Sequence, residues 1–146
     1  MFSKKKYDFY LGGPMRGYPD LNKKMFTLIT HMLRSKGFKV WSPSEQDSYL
    51  KRSFAECMTL DLDAVMFKCR KIALLPGWRE SLGANMEAFS AFACGHEAVE
   101  VTMNEDNTDF DLVPVMLSQY RLPYKDGDTR NFDPHSCDLN SFGNDT

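Results

Sequence analysis

The sequence predicts an α/β fold on a mainly parallel sheet, and two observations carry that prediction. Short apolar runs alternate with longer amphipathic ones across residues 7–101, in the order strand, helix, strand, helix, strand, helix, strand. The third short run, KIALLP at 71–76, is almost wholly apolar, as a strand covered on both faces must be. Crossovers between such parallel strands are expected to be right-handed.

The elements follow in order. YDFYL (7–11) reads as the first strand and stops at Gly12-Gly13-Pro14. Residues 20–37 read as a helix: Asp20 is placed to cap it, Leu21, Met25, Leu28, Ile29, Met32 and Leu33 form one apolar stripe, and Gly37 follows its end. FKVWS (38–42) is a second strand closed by Pro43, and 44–53 a polar loop. Residues 54–69 have helical spacing in Leu62, Val65 and Met66. After the strand at 71–76, residues 82–94 form a helix expected to bury Leu82, Met86, Phe89 and Ala93. EAVEV (97–101) is a fourth strand. Residues 102–111 are acidic and loop-like, and 112–123 read as a short helix or an extended arm. The division is therefore a domain at 1–123 and a polar tail at 124–146, loosely ordered or lying on a neighbouring surface.

Composition narrows the function. The 146 residues suffice for one domain with a real core. The formal net charge of −2 offers no basic excess for binding polymeric nucleic acid. No run approaches the roughly 18 apolar residues of a membrane span, and no signal peptide is visible, so a cytoplasmic location is expected. Cys57, Cys69, Cys94 and Cys137 form no CxxC pair, which suits reduced thiols. With His31, His96 and His135 scattered, no metal-ligand spacing is present, and neither a metal nor a cofactor is expected.

Ligands of open α/β sheets bind beyond the carboxyl ends of the strands. The loops GGPMRGYPD and PGWRES leave two such ends and have unusual compositions. In the first, Gly12, Gly13 and Gly17 permit close backbone approach, and Arg16 either forks onto a phosphate or carboxylate or stands exposed in a tight turn. The loop is neither GxGxxG nor a Walker loop. In the second, Trp78 either stacks on a planar base or covers the sheet edge, and Ser81 is placed to cap the next helix. Glu87 stands on a helix face shared with Gly83, Ser90, Ala91 and Cys94, small residues where a surface face would carry Lys, Gln or Arg. Asp61 and Asp63 can supply a second acid; lying about 200° apart on a helix, only one of them can face a site.

These segments, YLGGPMRGYPDLN, VWSPSE and LPGWRESLGANMEAFSAFACG, resemble the nucleoside 2-deoxyribosyltransferase superfamily over about residues 7–101. The likeness is strongest to its small phage and bacterial members, and the superfamily also includes the 2′-deoxynucleoside 5′-phosphate N-hydrolases. The resemblance implies a flavodoxin-like three-layer α/β sandwich with helices on both faces. It implies that Glu87 is the nucleophile, within a Ser-x-Gly-x-x-x-Glu pattern at Ser81, Gly83 and Glu87, and that Asp61, with Asp63 as fallback, handles the leaving base. The opening loop, Gly12, Gly13, Pro14, Met15, Arg16 and Gly17 with Asn22, matches the segment that holds the 5′-phosphate in the hydrolases. Together with Trp78, Ser81 and Gly83 it makes the expected substrate-binding set. The implied reaction is cleavage or exchange of the N-glycosidic bond of a 2′-deoxynucleoside or its 5′-monophosphate through a covalent glycosyl-Glu87 intermediate. The implied partners are that small molecule and, as is common in the superfamily, further copies of the chain. Where relatives usually carry Asp beside Cys69, this chain has Arg70. That departure and the unmatched tail keep a second reading open: a nucleotide-binding module that senses or sequesters its ligand without turnover.

Overall fold

The computed structural model describes residues 5–46, 51–116, 121–123 and 129–131 of the chain. Eight elements make the body: β1 (Tyr7–Gly12), α1 (Lys23–Ser35), β2 (Val40–Trp41), α2 (Phe54–Asp63), β3 (Cys69–Leu74), α3 (Leu82–Ala93), β4 (Glu97–Met103) and β5 (Phe110–Pro114). The sheet runs in the order β2-β1-β3-β4-β5, with β5 antiparallel to β4 and the other pairings parallel. This is the flavodoxin-like order.

Strand alternation sorts the core into two layers. Phe9, Leu11, Ala73 and Leu75 meet Phe26, Ile29 and Leu33 of α1 on one face. Tyr10, Ile72 and Leu74 meet Val65 and Ala84, Ala88 and Ala91 of α3 on the other. The chain steps from β1 to β2 in one direction, then returns across β1 to β3. With every crossover right-handed, that reversal moves α2 and α3 to the face opposite α1. It also leaves a switch point between β1 and β3, where their carboxyl ends feed helices on opposite faces.

Several expectations need correction. α1 starts at Lys23, and Asp20 does not cap it. Pro19–Asn22 is a tight turn in which Asp20, Leu21 and Asn22 all hold positive φ (50°, 52° and 59°). Helix 54–69 is α-helical only to Asp63; a wide π-type turn, Ala64–Lys68, leads into β3, which begins at Cys69. The largest correction concerns α3. Its buried residues are Ala84, Asn85, Glu87, Ala88 and Ala91, whereas Leu82 and Phe89 are 53% and 38% exposed. Three of the five residues that α3 buries are alanines, so this face is selected for smallness rather than for large apolar side chains. Beyond residue 101, β4 continues to Met103 and turns back as β5, so Thr102, Met103, Phe110 and Asp111 are strand where a loop was expected, while residues 112–114 take the extended form that was one of the two expected for 112–123; Phe110 fills the α1-side core. Arg121–Pro123 and Thr129–Asn131 form a separate antiparallel pair that spans the expected boundary at 123/124, and the rest of the expected tail lies outside the described residues.

Candidate active site

The diverging ends of β1 and β3 stay joined by a hydrogen bond from the Leu75 amide to the Gly12 carbonyl (2.8 Å). Two glycines make the close approach here, and Gly13 has no room for a side chain. A Cβ on Gly13 would sit 2.8 Å from Leu75 Cβ, and a Cβ on Gly12 would sit 3.3 Å from Glu87 Oε2. The backbone of β1 therefore runs directly behind the Glu87 carboxylate.

Beyond this point opens a cavity of about 500 Å³. One wall is the β1–α1 loop, through Gly13, Pro14, Met15, Arg16 and Tyr18. A second is α2, which turns Phe54, Cys57, Met58 and Asp61 inward, the i, i+3, i+4, i+7 spacing of one helix face. Ser53 and Glu56 close a capping box at the start of α2 and fix its entry (3.1 Å for each bond). The third wall is the 77–81 loop with the first turns of α3, including Ser81, Gly83 and Glu87. Ser81 caps α3 by accepting from the Ala84 amide (3.2 Å). Gly83 leaves room for Met58 and Phe54, whose nearest atoms lie 3.6 and 3.7 Å from where its Cβ would be.

Asp61 and Glu87 both face the cavity and are only 4% and 5% exposed. Asp63 turns outward to pair with Lys68 (3.6 Å). Burial pushes the Glu87 carboxyl well above the usual carboxylate range, the negative charge of Asp61 adds to the rise, and a hydrogen bond from Tyr10 opposes it. Glu87 Oε2 has no hydrogen-bond partner among the described residues. The arrangement can hold one proton between two acids beside an open cavity, with the second oxygen of Glu87 uncommitted.

The remaining expected residues are placed differently. Trp78 does not reach the cavity: it is 3% exposed in the core, its Nε1 donates to Glu100 (2.9 Å), and Arg79 covers its ring at 4.5 Å while bonding the same carboxylate oxygen (2.8 Å). Base stacking by Trp78 is thereby ruled out in this geometry. Gly17 and Asn22 also lie off the cavity wall. Gly17 turns the loop at φ 87°, and the Asn22 amide donates to the Pro14 carbonyl (2.9 Å), pinning the loop from behind. Arg70 is exposed at the start of β3.

Sequence reasoning missed three contributors. Tyr10 stands near Glu87 and works against the rise of its carboxyl; its signal was a polar-tipped aromatic on the face of β1 that points toward α3. Asn85 is fully buried, and its Nδ2 donates to the carbonyls of Trp78, Arg79 and Ser81 (3.2, 3.0 and 2.8 Å), so one side chain shapes the whole 77–81 wall. Arg52, just ahead of α2, also lines the cavity; nothing in the polar run around it marked it.

Fold and site define an α/β protein with a carboxylate pair at the switch point of its sheet. The family model described as "Domain of unknown function (DUF4406)" matches residues 7–100, and the chain belongs to that family. No curated protein is similar in sequence. Among solved structures, a 2-desoxiribosyltransferase from Leishmania mexicana has the same fold, with a TM-score of 0.52 and 13% identity over 73% of this chain and 79% of that one. Among the described residues no group of His, Cys, Asp and Glu could hold a metal ion, and no helix is long and apolar enough to cross a membrane.

Proposed function

We propose that the protein cleaves or exchanges the N-glycosidic bond of a 2′-deoxynucleoside or its 5′-monophosphate, with Glu87 as nucleophile and Asp61 as proton donor to the leaving base. The observation that carries this reading is the buried Glu87, its Oε2 unpartnered among the described residues, at the floor of a cavity beside a second buried acid. A structural carboxylate buried to this degree would normally be fully hydrogen-bonded. The fold shared with a 2-desoxiribosyltransferase supports the same class of chemistry.

In this mechanism the acid pair holds one proton. Ligand binding shifts it from Glu87 to Asp61. The Glu87 carboxylate then bonds to the anomeric carbon as the electron pair of the glycosidic bond leaves with the base, and Asp61 protonates that base. The transition state is oxocarbenium-like, so the carboxylate stabilises it before bonding. Water or a second base then takes the sugar from Glu87, giving hydrolysis or transfer. Met15, Tyr18, Phe54 and Met58 line the cavity with the apolar and aromatic surface that a planar base needs. Exposed Leu60, Leu82 and Phe89 on α2 and α3 would suit a homo-oligomer.

The test is incubation with each 2′-deoxynucleoside and its 5′-monophosphate, with and without a second free base, followed by chromatography of the released base. Release or exchange is expected, lost in Glu87→Gln while ligand binding persists. Binding of a nucleotide without release from any of them would favour the second reading, a sensing or sequestering module. The observation on that side is the raised Glu87 pKa, because a neutral acid donates a hydrogen bond but does not attack.

A further inference from the structure

We propose that the Pro14–Asn22 loop is a lid on the cavity: its exposed tip closes in a strained left-handed turn, reaches both facing walls, and lifts when Asp20 and Leu21 leave that turn. The inference concerns access to the cavity and holds whichever reaction takes place inside it.

The loop is tied at its neck and free at its tip. At the neck the Asn22 side-chain amide donates to the Pro14 carbonyl (2.9 Å) and keeps the two ends together, which is the build of a compact Ω-loop. Beyond the neck, Arg16, Gly17, Tyr18, Pro19 and Asp20 are all exposed. Gly17 turns at φ 87°, and a Cβ on it would meet no atom within 4 Å. Inside the loop the Tyr18 amide donates to the Met15 carbonyl (3.2 Å) and the Leu21 amide to the Tyr18 carbonyl (3.1 Å). Two contacts carry the tip across to the other walls. The Arg16 guanidinium lies over the Phe54 ring at the start of α2, 5.5 Å from its centroid. The Tyr18 hydroxyl takes the space that a side chain on Gly77 would need, since a Cβ there would sit 2.7 Å from it. Arg16, Tyr18, Phe54 and Gly77 all line the cavity, so the loop joins its three walls.

The closed turn is strained. Asp20, Leu21 and Asn22 hold φ of 50°, 52° and 59° in succession. Residues other than glycine enter this region singly, because Cβ crowds the carbonyl that follows, and each one costs roughly 5- to 30-fold in population. Asp and Asn tolerate it best, and a bulky Leu poorly. Such strain persists only where surrounding contacts hold it, and it gathers at ligand clamps and moving segments. Here the tip that holds it is exposed, and a segment with little buried contact opens at low cost. Leu21 is itself part of the cavity wall. Relaxing it breaks the turn that bonds its amide to Tyr18, so both side chains leave the wall together. Opening admits a ligand wider than the mouth, and reclosing shuts water out.

The test reads the thiol of Cys57, which lines the cavity and is only 4% exposed. The full chain is treated with dilute iodoacetamide, and alkylation at each cysteine is followed by peptide mass spectrometry. With so slow a reagent the rate follows the open population. Cys69, buried away from the cavity, reports global unfolding, and exposed Cys94 reports the reagent. Asp20 is exposed and off the cavity wall, so substitutions there change the strain and leave the mouth as it is. Glycine adopts positive φ freely, so Asp20→Gly should hold the lid shut and slow Cys57 about 3- to 10-fold, although glycine loosens an unstrained loop. Alanine tolerates the turn less well than aspartate, so Asp20→Ala should speed Cys57 about 2- to 5-fold. Asp20→Asn removes the charge, keeps the tolerance, and should stay within about twofold of the wild type. Amide hydrogen exchange at Leu21 should move in the same directions. Gly and Ala variants that shift Cys57 the same way, or that leave its rate unchanged, overturn the lid. A Cys69 rate that changes in step with Cys57 overturns it too, because the opening is then global.

Discussion

Replacing Glu87 by Gln should stabilise the protein, and by an amount that grows with pH. The side chain keeps its size, and its amide oxygen can still accept from Tyr10. Only the ionisable proton is lost. In the unfolded chain Glu87 gives up its proton near its ordinary value of 4.5; in the folded protein burial and the Asp61 charge hold that proton to well above it. Below 4.5 both states are protonated and the group has no effect on folding. Above 4.5 the unfolded state is ionised and the folded state is not, so stability falls as pH rises, until the folded carboxyl itself ionises. One proton gives a slope of at most about 1.4 kcal/mol per pH unit. For a chain of this length that is about 3–5 °C in Tm per unit. Scanning calorimetry of both proteins from pH 4.5 to 7.5 measures the gap, and titrations common to both cancel. The variant should match the wild type at the acid end and gain on it steadily. A gap that stays flat, or a variant that falls behind at neutral pH, would refute the claim that Glu87 is buried with its proton.

Asp61→Asn removes the like charge facing Glu87, so the Glu87 carboxyl should titrate at lower pH; carboxyl-carbon NMR of labelled Glu reads the shift, and no movement would mean that the two acids do not interact. Gly13→Ala should cost about 1–3 kcal/mol in urea denaturation, because the new methyl meets the Leu75 Cβ at the joined strand ends. An unchanged midpoint would show that those ends separate freely. Trp78→Phe should cost about 1–2 kcal/mol through the lost bond to Glu100 and leave nucleotide affinity within twofold. A large loss of affinity in a folded variant would return that ring to the ligand.

Legibility in the sequence followed the physics of each element. The parallel core was readable because strands covered on both faces have few alternatives to a run such as IALL. That Glu87 is not on a surface face was readable because small residues share its helix face. The buried face of α3 was misjudged because Leu82 and Phe89 are the larger apolar side chains, yet close packing on the sheet selects for smallness, not for hydrophobicity. Trp78 was ambiguous because an aromatic after a strand can point either way, and its partner Glu100 is 22 residues further on. Tyr10, Asn85 and Arg52 act across elements that only the sheet order brings together. For β5 the choice between helix and extended arm stayed open at 112–114 because an edge strand with one solvated face, Phe110–Pro114, has too few buried positions to show a period.

At the floor of the cavity the fold opposes its own stability. A Leu and a Met at positions 61 and 87 would pack against the same neighbours without the desolvation of two acids. Asp61 raises the very carboxyl that burial already disfavours, Tyr10 returns only part of that cost, and Oε2 of Glu87 gains no hydrogen bond among the described residues. Around them everything else is ordered to hold the pair in place: Gly12 lets the β1 backbone run behind Glu87, the Ser53 box fixes α2, and Asn85 ties down the facing wall. Perturbed buried acids held beside a cavity by fixed neighbours mark a candidate functional site. The pH-dependent gain in Glu87→Gln measures how much stability the fold forgoes to bury that acid.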